Sequence, residues 1–327
     1  MINQSVKLRE DVFEPAESAA TRDGFGAGVV EAGKADPRVV VLSADLAEST
    51  RAEWFQREFP ERFIEVGVAE QNMAAVAAGM AAAGKIPFIT SYAMFSPGRS
   101  WEQVRTTIAL NDQPVIICGM HAGISVGPDG ATHQALEDIA LMRVLPNMIV
   151  ISPCDAEEAR KATIIAAKLG KPAYLRFGRA PTPKITTPET PFEIGKSLVM
   201  WRSNTPKVAL LATGPLVHHA LLAARELDES GLGTVVVNVP SIKPLDIDGV
   251  ISVAKECGRV ITIEEHQVAG GFGSAIAEVL IRHHPVPMRF VGVQDRFGQS
   301  GEPNELLSTY GIDVHTISAA AREIVVS

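Results

Sequence analysis

The sequence predicts an α/β protein of two parallel-sheet domains, on three observations. Short β-branched runs alternate with helical stretches along the chain, the pattern of parallel α/β layers. A Pro/Thr-rich stretch without apolar period, residues 181–190, divides that alternation into two series. Aromatics make up only 6% of the 327 residues while glycines number 27, which suits tightly packed helix-on-sheet layers.

In the first series, the run Val-Val-Val-Leu at 39–42 reads as a buried strand, and so do 87–90, 115–118 and 148–151. Helices are expected at about 16–33, 69–83, 101–110, 136–143 and 156–169. With a linker at about 181–194, the first domain covers 1–190 and the second 195–327. The second has strands at 208–211, 234–239, 260–263 and 289–293, with helices at about 217–229, 247–255 and 273–283. Gly270-Gly271-Phe272-Gly273 lacks the GxGxxG spacing, and no GxxxxGK[ST] occurs. Those glycines read as a tight strand-to-helix turn.

The net charge of −8 and the dispersed basic residues weigh against nucleic acid or an anionic membrane as partner. No apolar run approaches the ~20 residues of a membrane span. The polar, acidic N-terminus resembles no targeting segment, and Cys118, Cys154 and Cys257 are too scattered for a disulfide framework. A cytoplasmic location is expected.

Three clusters carry chemistry. Glu70 opens a helix of Ala, Met, Val and Gly, where an unpaired charge is costly, so the carboxylate is either paired or kept for reaction. Ser91-Tyr92-Ala93-Met94-Phe95 follows that helix. Gly127-Pro128-Asp129-Gly130-Ala131-Thr132-His133-Gln134 is a Gly-rich loop with an acid and an imidazole. Cys118, His121 and His133 could also be read as zinc ligands, but Cys118 sits in an apolar run with no fourth ligand near it in sequence.

Together with Ser43-Ala44-Asp45-Leu46, Gly67-Val68-Ala69-Glu70-Gln71, His121-Ala122-Gly123-Ile124, the Arg143-x-x-Pro146-Asn147-Met148 run and Pro153-Cys154-Asp155, these clusters resemble the thiamin-diphosphate enzymes of the transketolase family. The similarity covers nearly the whole chain and corresponds to the C-terminal half of a transketolase: its pyrimidine-binding domain and its C-terminal domain. The family's GDG motif with a following Asn, which holds Mg²⁺ on the cofactor diphosphate, has no counterpart; Pro128-Asp129-Gly130 belongs to another motif. The resemblance therefore implies a partner polypeptide carrying the metal-binding half, with this chain as the smaller subunit.

It also implies roles. Glu70 hydrogen-bonds N1′ of the thiamin aminopyrimidine and favours its imino tautomer. Phe95 stacks on that ring, where an added aromatic three residues further on is replaced by Gly98. Tyr92 aligns with a second family aromatic, although core filling would explain it by itself. Asp45 borders the thiazolium. His133 hydrogen-bonds the substrate beside the reacting carbon, Asp129 reads the sugar C2 hydroxyl, and His121 lies toward the substrate phosphate with Arg22, Ser49 and Arg179. Guanidinium groups suit phosphate through paired hydrogen bonds.

The implied reaction is transfer of a two-carbon ketol unit from a ketose, phosphorylated in keeping with these arginines, to an aldose. Two related enzymes share parts of the pattern. 1-Deoxyxylulose-5-phosphate synthase carries an Arg-containing run where Met120-His121 stands here. The β subunit of 2-oxo acid dehydrogenases usually lacks Asp-Gly-x-Thr-His. A non-catalytic regulatory partner has no need to retain Glu70, Phe95 and His133 together. In assembly, Glu70 is expected at an interface between chains, because its small-residue helix has nothing bulky to shield it. Ala74, Ala75, Ala78 and Ala82 are expected to form a flat face, giving a homodimer of this chain and a heterotetramer with the partner.

Overall fold

A computed structural model describes residues 1–326 of the chain. The first half runs β1 (Ser18–Ala19), α1 (Thr21–Ala35), β2 (Val39–Ser43), α2 (Ala47–Thr50), α3 (Ala52–Glu58), β3 (Phe63–Glu65), α4 (Glu70–Ala82), β4 (Ile86–Tyr92), α5 (Trp101–Gln103), β5 (Ile116–Met120), α6 (Asp138–Arg143), β6 (Ile149–Ile151), α7 (Ala156–Ala166), β7 (Ala173–Arg176) and β8 (Thr182–Pro183). The second half runs β9 (Leu198–Arg202), β10 (Val208–Ala212), α8 (Leu216–Glu229), β11 (Thr234–Asn238), β12 (Ser241–Lys243), α9 (Ile247–Cys257), β13 (Val260–Gln267), α10 (Phe272–His283), β14 (Met288–Val293), α11 (Pro303–Thr309) and α12 (Val314–Val326).

Two large sheets result, ordered β12-β6-β7-β5-β4-β2-β3 and β14-β13-β10-β11-β9. Pairing within them is parallel except at the edge strands β12 and β9. All five residues of β2, β5, β10 and β11 are buried, as central strands covered on both faces require. On one face of the first sheet Phe25, Phe88 and Phe177 pack with α1 and α7. On the other, Leu42, Met73 and Ile89 belong to an apolar cluster that continues through Ile242 to Leu211 and Val237 of the second sheet.

Helix α1 lies close on α7 because Gly28 lacks a side chain: a Cβ there would stand 2.7 Å from the Arg160 carbonyl oxygen. That packing fixes the first turn of α1, which carries Arg22. The helix starts at Thr21 rather than near residue 16, since Ser18 and Ala19 pair with Pro183 and Thr182. The helix at 101–110 changes character partway, with Val104–Ala109 wound as a π-helix. The 181–190 stretch is pinned: Asp155, the α7 N-cap, accepts hydrogen bonds from the Ile185 and Thr186 amides at 2.8 and 2.7 Å.

The two halves interlock. Strand β12 crosses from the second half to pair with β6. In return, Ile2 bridges Trp201, and Val6 and Val12 enter the core of the second half. At the Gly270–Gly273 turn, the Glu264 carboxylate accepts from the Phe272 and Gly273 amides at 2.6 and 2.8 Å, so the α10 N-terminus is already capped by the protein's own acid. No helix among the described residues is long and apolar enough to cross a membrane.

Candidate active site

Parallel α/β sheets open a crevice beyond the strand C-termini where the winding reverses. Here β2 has β3 on one side and β4 on the other. The sequence-predicted residues emerge from that edge. Asp45 and Ser49 follow β2, Glu70 follows β3, Tyr92 and Phe95 lie at the end of β4, His121 follows β5, and Arg179 follows β7.

Glu70 is the first residue of α4 and its side chain is 2% exposed. This burial is achieved within one chain, which corrects the expectation that an interface between chains is needed to cover it. The cover is Arg99, whose Nη1 donates to Glu70 Oε2 at 2.8 Å and whose guanidinium carbon stands 5.0 Å from the Phe95 ring centre. Four residues of α4 were expected to form one flat face, but Ala74 and Ala78 turn into the core, while Ala75 and Ala82 face outward. The cause is the 3.6-residue period, which cannot expose positions 74 and 75 equally.

Tyr92 organises the rings rather than merely filling core. It stacks on His121 at 4.0 Å between ring centres, lies near parallel to Phe95 at 6.2 Å, and meets His133 edge-on at 6.0 Å. Phe95 also meets His133 edge-on, at 5.5 Å. The structure therefore gathers Glu70, Tyr92, Phe95, His121 and His133 into one continuous constellation.

Cations collect at the His121 end. Arg22 Nη1 donates to His121 Nε2 at 3.1 Å and to the Ser49 carbonyl at 2.8 Å. Because guanidinium only donates, Nε2 accepts and the ring proton sits on Nδ1. Burial, reinforced by Arg22, Arg179, Arg51 and His133, pushes the His121 pKa down to about 3, so the ring is neutral. Burial and the neighbouring Arg51 and Arg179 charges also lower the Arg22 pKa, with Asp23 opposing them. Arg179 holds the Val126 carbonyl at 2.8 Å. His121 Nδ1 and Arg22 Nε are buried without acceptors, two donors that an anionic or hydroxylated ligand would satisfy.

Arg51, which motif reasoning missed, joins this group and is tied to Asp23 at 2.7 Å. Its backbone is left-handed (φ 66°), as are those of His121 (53°) and Asp45 (60°). Such conformations are uncommon for residues with side chains and gather at functional turns. Asp45 is exposed, its amide bonded to Glu65 Oε1 at 2.7 Å. Ser49 meets Arg22 through its carbonyl rather than its hydroxyl. Asp129 is exposed, with no side-chain hydrogen bond among the described residues.

The loop bearing His121, Asp129 and His133 is gripped by the second half. Glu265 Oε1 accepts from the Ser125 amide at 2.5 Å, and Gln134 Nε2 donates to the Ile124 and Gln299 carbonyls at 3.1 and 2.9 Å. His133 Nδ1 contacts Thr132 Oγ1 at 2.9 Å, which leaves Nε2 for another partner. Cys118 lies in the apolar core beside Phe25 and Phe88, where burial pushes its thiol pKa up. No group of three or more His, Cys, Asp or Glu poised for a metal occurs among the described residues.

Arg99 shows that a planar cation fits between Glu70 and Phe95, which is the shape and charge of an aminopyrimidine protonated at its ring nitrogen. The cradle thus suits the pyrimidine half of thiamin.

Known proteins share the sequence and fold of this chain. The model of the transketolase pyrimidine-binding domain matches residues 17–184, and that of the transketolase C-terminal domain matches 197–317. A putative transketolase C-terminal section from Methanocaldococcus jannaschii is 41% identical over 92% of this chain and 95% of its own length. A 6-deoxy-6-sulfo-D-fructose transketolase subunit from Clostridium sp. is 39% identical over 93% of this chain and 94% of its own length. Against transketolase-like protein 2 of Mus musculus, 37% identical, 96% of this chain aligns but it spans only 50% of that protein. A solved structure described as a split gene transketolase, inactive beta4 tetramer, superposes with a TM-score of 0.87 at 42% identity, covering 94% of this chain and 98% of that one.

Proposed function

The chain belongs to the transketolase family, and on that premise we propose that it is the pyrimidine-side subunit of a two-chain transketolase. Its partner is a second polypeptide that binds Mg²⁺ and the cofactor diphosphate. The observation that carries this reading is one crevice with two differently built ends: a buried carboxylate beside an aromatic ring at Glu70 and Phe95, and a cluster of arginines around neutral His121. The first suits an aminopyrimidine and the second suits the anionic end of a sugar.

Thiamin diphosphate, when bound, supplies the electron sink for breaking and making the carbon–carbon bond. This chain's residues bind and orient around it. The Glu70 carboxylate would accept a hydrogen bond from a proton-bearing ring nitrogen, and Phe95 and Tyr92 would flank the ring. His133, steadied by Thr132, offers Nε2 to the substrate oxygen at the reacting carbon. Asp129, exposed in the Gly-rich loop, is free to accept from a sugar hydroxyl. Arg22, Arg179 and the Nδ1–H of His121 hold the anionic end, with Ser49 holding Arg22 in place. Asp45, at the turn after β2, would border the thiazolium.

A sugar phosphate is the substrate class proposed, as ketol donor and as acceptor, in the cytoplasm. The test is an assay of this chain mixed with its large partner, comparing ketol transfer from xylulose 5-phosphate with decarboxylation of pyruvate. Transfer without decarboxylation supports the reading; the opposite result would assign the chain to the 2-oxo acid dehydrogenase branch.

A further inference from the structure

Arg99 stands where a ligand is wanted. Its guanidinium is planar and cationic, bonds Glu70 Oε2 at 2.8 Å and covers Phe95 with 5.0 Å from guanidinium carbon to ring centre. These are the two contacts that the proposed function gives to the pyrimidine ring. Both are charge-assisted or stacking contacts to which arginine is well suited. Yet Arg99 is not locked in place: its side chain is 47% exposed, while that of Glu70 is 2% exposed. The one hydrogen-bond partner of its guanidinium among the described residues is Glu70.

We propose that Arg99 is an internal stand-in ligand, which fills the pyrimidine cradle of the free subunit and swings toward solvent when the cofactor arrives. The inference rests on reading Glu70 and Phe95 as that cradle. Its energetic logic is simple. A buried carboxylate without a counter-ion is costly, so the free chain supplies one from a half-exposed arm. A ligand must displace that arm, and its apparent affinity falls by the fraction of molecules in which the cradle is open. The stand-in keeps Glu70 paired and the cradle shaped, at the expense of affinity in the unassembled chain.

The test uses thiamin itself as probe, which has the pyrimidine but needs no diphosphate or Mg²⁺ site, titrated calorimetrically into the full chain without partner. Arg99→Met, which retains length without charge, should bind thiamin about tenfold tighter than the wild type, in line with removal of one competing charge-assisted hydrogen bond. Arg99→Lys, which loses the planar fork, should tighten binding by a smaller factor, and it decides the matter alone if Arg99→Met does not fold. Equal or weaker binding by the folded variants would overturn the proposal and make Arg99 a co-ligand of the ring. The functional reading is checked apart from this, by thiamin diphosphate binding to the wild-type chain assembled with its partner. If that binding is absent, the cradle assignment itself fails, whatever the Arg99 variants do.

Discussion

Glu70 and Arg99 together show what a buried acid at a helix start requires. The carboxylate was legible in the sequence because it stands alone among small apolar residues and inside a family motif. Its counter-ion was not, because Gly98-Arg99-Ser100 reads as any exposed loop and only the fold brings it across 29 residues. Arg51 escaped notice for the same reason, since its membership comes from the left-handed turn between two short helices. Glu70→Gln should nearly abolish ketol transfer by the assembled enzyme while sparing assembly, because an amide cannot stabilise the imino tautomer in the same way; near-normal turnover would remove Glu70 from the chemistry. Arg22→Ala and Arg179→Ala should each raise KM for phosphorylated sugars about ten- to a hundredfold, the effect of losing a charge-assisted contact worth ~1.5–3 kcal/mol. Unphosphorylated donors and acceptors, such as hydroxypyruvate and glycolaldehyde, should be little affected, and a uniform loss would place these arginines elsewhere. His121 makes a pH prediction. Its folded pKa of about 3 lies below the ordinary 6.5, so the unfolded chain binds the proton first as pH falls. Wild-type stability should therefore drop between about pH 6.5 and 3 relative to His121→Asn, which lacks that titration. Urea midpoints at pH 7, 5 and 4 would show the gap shifting, and parallel curves would contradict it.

At the level of elements, long β-branched runs were read well and short mixed ones were not. Strands β2, β4, β5 and β10 are near-continuous apolar runs, the mark of central parallel strands. Strand β7 was missed because Arg176 lies inside it; that arginine is tolerated because Asp138 pairs with it at 2.7 Å in the core. Strand β12 has only three residues and derives its pairing from a long-range contact that no local pattern announces. Helices α11 and α12 lay beyond the stronger signals. The least legible feature is the hold of the second half on the substrate loop, which depends on Glu265, a residue beyond the strand expected at 260–263 but inside the observed β13. Glu265→Ala should leave the buried Ser125 amide without its acceptor, at a cost of about 1–3 kcal/mol. It should also raise KM for the sugars. Glu265→Gln, whose amide oxygen can accept the same bond, should recover most of both. Denaturant midpoints and KM values measured on the pair would test this, and a Gln variant as damaged as the Ala variant would show that charge rather than the hydrogen bond matters.

For the whole molecule, the outward side of α4 bears on assembly. Val68 and Val76 are 69% and 37% exposed, and Ala75 and Ala82 of α4 are exposed as well, with the polar Gln71 and Asn72 at the same helix's start. Surfaces of this kind mark contact with another chain. Light scattering at micromolar concentration should find this chain self-associated, at least as a dimer, and joined with its partner in a heterotetramer. Alone it should show no ketol transfer, since the proposed function gives the cofactor diphosphate site to a partner. A strict monomer that ignores the partner, or measurable turnover without it, would contradict the two-chain architecture.

The exchange of strands between the halves sets a lower limit on how far this polypeptide can be divided. The chain spans 50% of transketolase-like protein 2 of Mus musculus and 95% of the Methanocaldococcus jannaschii section. A further break at residue 190 would take β12 from β6 and Ile2 from Trp201, uncovering sheet edges on both fragments. Open edges invite pairing with whatever strand is nearest. Fragments 1–190 and 191–327 made in separate cells should therefore precipitate, but a protease nick between residues 181 and 194 of the folded chain should leave both pieces travelling together on a sizing column. The gene has one more joint in its sequence than the protein has in its mechanics.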